Sequence, residues 1–83
     1  MEINVFDTYV ETRTGRFLHF DVLIESKDQQ LALKYANNWL EAQGIQAADI
    51  KQNMCAYCHT ELAPPEVVSV VKRQGYFIID LTG

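Results

Sequence analysis

The residues with the richest chemistry sit together. Cys55-Ala56-Tyr57-Cys58-His59, followed by Glu61 and by Pro64-Pro65, holds both cysteines, one of the two histidines and both prolines of the chain. A Cys-x-x-Cys-His run can bind zinc through two thiolates and an imidazole, present a redox dithiol, or attach a haem. Against these stands a plain structural reading, in which two small reduced thiols fill space in a tight connection.

The surroundings weigh on each reading. Haem attachment requires export, and Met1-Glu2-Ile3-Asn4-Val5 alternates like a strand, without the basic start or apolar run of a signal peptide. A thioredoxin-type dithiol sits at a helix N-terminus, where the dipole and free N–H groups favour thiolate. Here the next helix start is Pro64-Pro65, six or seven residues beyond Cys58. Zinc is the one cofactor the sequence puts forward. Structural zinc usually takes four Cys or His ligands, and the chain owns four: Cys55, Cys58, His59 and His19. A closed site would use all of them, while Glu61, Glu66 or water could replace one. A single Cys-x-x-Cys without a second pair is a weak signal for such a site.

His19 and Asp21 form a second group, two apart on one strand face, with Thr8 expected opposite His19. Imidazole, carboxylate and hydroxyl are the parts of acid–base or nucleophilic machinery. A strand threonine has no oxyanion hole beside it, so a polar cross-strand pair is the preferred reading. Asp7 interrupts an otherwise apolar face and calls for hydrogen-bond partners.

The elements that position these residues follow from pattern. Residues 2–10 and 16–25 read as a β-hairpin around Thr12-Arg13-Thr14-Gly15. The expected register pairs Val10 with Phe17, Thr8 with His19 and Phe6 with Asp21. It gives a core face of Ile3, Val5, Tyr9, Leu18, Phe20, Val22 and Ile24, and leaves Phe6, Val10, Phe17 and Leu23 on an exposed, mixed face. Leu31, Ala32, Tyr35, Ala36, Trp39 and Leu40 recur at helical spacing over Lys27–Gln43, with Ser26 and Gln29 at capping-box spacing and Gly44 as the stop. Residues 49–54 read as a short third strand. A second helix opens at Pro65 and closes at Gly75, carrying Val67, Val68, Val70 and Val71. Tyr76–Leu81 is nearly continuous in apolar residues and reads as a central strand.

The order is ββαβαβ over a single domain, residues 1–83. The expected architecture is α+β: a two-layer sandwich of a four-stranded mixed sheet with two helices on one face. A chain this short has a thin core and gains from a second subunit. Seven basic residues against eleven acidic ones, with no basic cluster beyond Lys72-Arg73, argue against nucleic-acid binding. No apolar stretch approaches the ~20 residues that span a bilayer, and a cytoplasmic setting with reduced thiols is expected.

Taken together, Phe6-Asp7-Thr8-Tyr9-Val10, His19-Phe20-Asp21-Val22, Cys55-x-x-Cys58-His59, Ala63-Pro64-x-Glu66-Val67 and Gly75-Tyr76-Phe77-Ile78 occur in one order. In that combination the chain resembles the bacterial family named Domain of Unknown Function 2024, over essentially its whole length. The resemblance implies a compact bacterial domain with two helices against a four-stranded sheet, and carries no activity, substrate or cofactor with it. The first functional reading is a non-enzymatic binding or interaction module, homodimeric through the exposed sheet face at Phe6, Val10, Phe17 and Leu23. The alternative is a zinc-binding or thiol-active protein using Cys55, Cys58, His59 and His19. A small hydrolase or lyase built on His19 and Asp21 ranks last.

Overall fold

The computed structural model describes residues 1–82. Strands β1 (Glu2–Thr12), β2 (Phe17–Ile24), β3 (Ile50–Leu62) and β4 (Phe77–Asp80) and helices α1 (Gln29–Ala42) and α2 (Pro65–Gln74) follow the expected order ββαβαβ. The strands form one sheet in the order β3-β1-β2-β4. Every neighbouring pair is antiparallel, so the sheet is not mixed, and β4 is an edge strand rather than a central one. Connectivity explains both corrections. The hairpin places β1 beside β2, and each helical crossover returns the chain to a free edge. No helix among the described residues is long and apolar enough to cross a membrane.

The hairpin pairs Glu11 with Phe17, Val10 with Leu18, Tyr9 with His19 and Asp7 with Asp21. This differs by one residue from the expected register, and a slip of one turns every β1 side chain to the other face. Phe6, Thr8 and Val10 therefore join Leu18, Phe20, Val22 and Ile24 on one face. Asp7, Tyr9 and Glu11 join Phe17, His19 and Asp21 on the other. The observed register is favoured because its first face is buried without any charge. The alternative would place the Asp7 carboxylate within the core, at a large desolvation cost.

Helix α1 covers the first face. Its buried residues Ala32, Ala36 and Leu40 form one core cluster with Phe6, Val10, Phe20, Val22 and Ile24. Asp28, not Ser26, is its N-cap, and its Oδ1 accepts from the N–H groups of Gln30 at 3.0 Å and Leu31 at 3.2 Å. At the other end Gly44 N–H donates to Glu41 O and Ile45 N–H to Leu40 O, both at 2.9 Å. With Gly44 at a φ of 82°, this is a Schellman stop, and Ile45 packs in the same cluster as Leu40.

Helix α2 covers the opposite face. Val67 and Val71 are buried with Ile3, Val5 and Leu23 in a second cluster, whereas Val22 belongs to the first. Leu23 and Val22 are successive strand residues, which point to opposite faces. The two helices thus sandwich the sheet instead of sharing one side. This arrangement also accounts for the apolar run of β4: Phe77 packs on the α2 cluster and Ile78 on the α1 cluster.

Coverage by α2 is incomplete for a simple geometric reason. Ten residues of helix extend only ~15 Å, whereas the eleven residues of β1 run ~35 Å. Ile3, Val5 and Leu23 are sheltered, and the half of the same face carrying Asp7, Tyr9, Phe17, His19 and Asp21 is left open.

Strand β3 is thirteen residues long and includes the whole Cys-x-x-Cys-His stretch, which was expected to be a connection. Val5 pairs with His59 but Phe6 pairs with Tyr57, so Cys58 is an extra residue in a β-bulge. Tyr57 and Thr60, three apart, consequently share the α1 face, with their hydroxyls 2.6 Å apart. Thr60 Oγ1 in turn donates to Asn4 Oδ1 at 2.7 Å.

Candidate functional site

Pairing of Asp7 with Asp21 and of Tyr9 with His19 gathers four polar side chains at the centre of the open half-face. His19 Nε2 and Asp7 Oδ1 are 2.6 Å apart, with each side chain about one-third exposed (33% and 35%). The Tyr9 ring lies over the His19 imidazole, with centroids 4.2 Å apart and planes 8° from parallel. Asp7, His19 and Asp21 each offer a ligand atom within 4.8 Å of the other two, the one such group of His, Cys, Asp and Glu among the described residues.

The electrostatics follow from crowding acids on neighbouring strands. Partial burial, then the Asp7 charge, raise the Asp21 pKa above the ordinary carboxylate range, against smaller opposing effects of His19 and His59. The Asp7 charge is also the largest cause of a raised Tyr9 pKa, so Tyr9 keeps its proton. Two opposed carboxylates on a sheet repel each other. Protonation of Asp21 relieves this repulsion.

Beside the cluster lies an open groove of about 590 Å³, lined by Tyr9, Phe17, His19, Met54 and Leu81 among others. Phe17, Met54, Tyr9 and Leu81 are 70, 58, 49 and 46% exposed. The carboxy-terminal segment forms one wall: Leu81 N–H donates to His19 O at 2.8 Å, and the His19 N–H donates to Thr82 Oγ1 at 3.0 Å.

The sequence-predicted site residues are distributed differently. Of the residues expected at an exposed interface, only Phe17 is exposed. Phe6, Val10 and Leu23 are 0, 1 and 1% exposed, the first two beneath α1 and the third beneath α2. Cys55, Cys58, His59 and His19 do not meet in one ligand cluster among the described residues. Cys55 is buried opposite Thr8, whose hydroxyl lies 3.5 Å from its sulfur, and burial raises its thiol pKa. His19 is on the other face. Cys58 is exposed and stands 3.3 Å from Nδ1 of His59.

Asp7 and Tyr9 are the members of this candidate site that the sequence reading places on the core face. The signal lay in the choice of register, since one pairing collects Asp7, His19 and Asp21 on one face and leaves the other free of charge.

Comparison with known proteins agrees with this architecture. The NMR structure of protein NE1680 from Nitrosomonas europaea is similar at a TM-score of 0.84 and 38% identity, over 100% of this chain and 98% of that one. The search of curated proteins finds no match. The family model described as Domain of unknown function (DUF2024) matches residues 1–81, and the chain belongs to that family.

Proposed function

We propose that the protein is a non-enzymatic binding module whose docking surface is the open half of the sheet, and that its occupant is a second copy of the chain. The observation that carries this reading is the groove itself. Tyr9, Phe17, Met54 and Leu81 are large, exposed and contiguous around it, and an apolar patch of this kind marks an interface. A two-fold contact would bring the patch against itself, as self-complementary dimers require, and would add buried area to a thin core. Sedimentation equilibrium over a wide concentration range tests it. The expected result is a monomer–dimer equilibrium that Phe17→Asp shifts to monomer with an unchanged circular dichroism spectrum. A wild-type monomer at the highest concentration would overturn self-association, and a dimer indifferent to Phe17→Asp would move the interface elsewhere.

A second reading is metal binding, and the Asp7–His19–Asp21 group favours it. Two carboxylates and one imidazole suit zinc or manganese. Calorimetric titration with zinc should give one site in the wild type and none in His19→Ala; equal heats in both proteins would remove this reading.

A further inference from the structure

The bulge in β3 brings a nucleophile, a base and a carboxylate into one chain. Successive strand residues normally point to opposite faces. The extra residue at Cys58 cancels that alternation locally, so Cys58 Sγ and His59 Nδ1 come within 3.3 Å. His59 Nε2 lies 3.1 Å from Glu61 Oε2, and Glu61 shares the His59 face because it is two residues on. A carboxylate at Nε2 holds the proton there and leaves Nδ1 free to accept the thiol proton. Nucleophile, base and orienting group are thus in hydrogen-bond sequence. Cys58 is exposed, while Cys55 is buried.

We propose that Cys58 is a thiol–disulfide exchange site, activated by His59 and positioned by Glu61, that is capped reversibly by low-molecular-weight disulfides. The thiol proton passes to His59 Nδ1. The Cys58 thiolate attacks one sulfur of the disulfide, the S–S bond of the reagent breaks, and a new bond joins Cys58 to one half. The departing thiolate takes the proton from His59. One thiol and one disulfide become a mixed disulfide and a new thiol. Cys55, beneath α1 on the other face, is not placed to resolve the adduct, so only an external thiol removes it. Cys58, His59 and Glu61 do not line the groove, although the His59 charge reaches Asp21 and that of Cys58 reaches Tyr9.

The experiment treats the full chain with oxidised glutathione near neutral pH and follows intact mass. The wild type and Cys55→Ala should gain one glutathionyl group, and Cys58→Ala none over the same period. His59→Gln should slow the reaction at least tenfold, below the ~10²–10⁴ supplied by bases in enclosed enzyme sites. It should also change the shape of the pH–rate profile, since the variant lacks the base that takes the thiol proton. Glu61→Gln should alter the same profile less, as expected of a positioning residue. Adduct on Cys55, or a His59→Gln rate and profile equal to wild type, would overturn the proposal. In denaturant both cysteines should react alike, which ties the selectivity to the fold.

Discussion

His19 meets Asp7 at 2.6 Å because Tyr9, and not Thr8, stands opposite His19 in the hairpin. A single step in register separates a buried lone carboxylate from a half-exposed cluster of two acids and an imidazole. The same step decides that Phe6 lies beneath α1 and that Tyr9 lies over the imidazole.

That cluster predicts a pH dependence. Asp21 has a raised pKa, from burial first and from Asp7 second. The folded chain therefore holds this proton more tightly than the unfolded one. The contribution of Asp21 to stability is full below the unfolded carboxylate pKa and is lost as pH rises through the raised folded value. Asp21→Asn should stabilise the protein near neutral pH by up to about 1 kcal/mol, the scale of one cross-strand pair. The difference from wild type should shrink at acid pH. Urea denaturation at both pH values checks this, and a pH-independent difference would contradict it.

The start of α1 distinguishes two caps. Asp28 accepts from two N–H groups of the first turn, while Ser26 Oγ accepts only from Asp28 N–H, at 3.4 Å. Asp28→Ala should cost about 1 kcal/mol. Ser26→Ala should stay within about 0.5 kcal/mol of wild type. Thermal or urea unfolding of the pair gives the answer, and a larger loss at Ser26 would restore the capping box read from the sequence.

Two glycines with similar backbones separate strain from contact. Gly44 and Gly75 have φ of 82° and 99°; a Cβ at Gly44 meets nothing within 4 Å, whereas one at Gly75 lies 2.5 Å from the Tyr35 hydroxyl. Alanine at either position should cost roughly 1–2 kcal/mol from the left-handed backbone. Gly75→Ala should cost more, because Tyr35 must also leave its stack on Tyr76, where the centroids are 4.6 Å apart. Equal losses in urea denaturation would show that Tyr35 yields freely.

The chain's local signals determined much of the fold. The apolar stripe of α1, the Gly44 stop, Pro65 opening α2 and Gly75 closing it are all present as read, because each is set by neighbours within a few residues. The order of elements followed from the same signals. The family was legible as well, in the combination of short motifs along the chain.

Tertiary structure decided what depends on distant pairing. Register between β1 and β2 compares the burial of whole faces, and Asp7 tipped that comparison. The side taken by α2 depends on where β3 ends beside β1, which no local pattern encodes. The Cys-x-x-Cys-His stretch is the clearest case. Its spacing suggested one site with converging ligands, but pairing with β1 made it a strand, set Cys55 beneath α1, and left Cys58 to a bulge. Residue types supplied the available chemistry, and pairing over long sequence separation determined which groups meet.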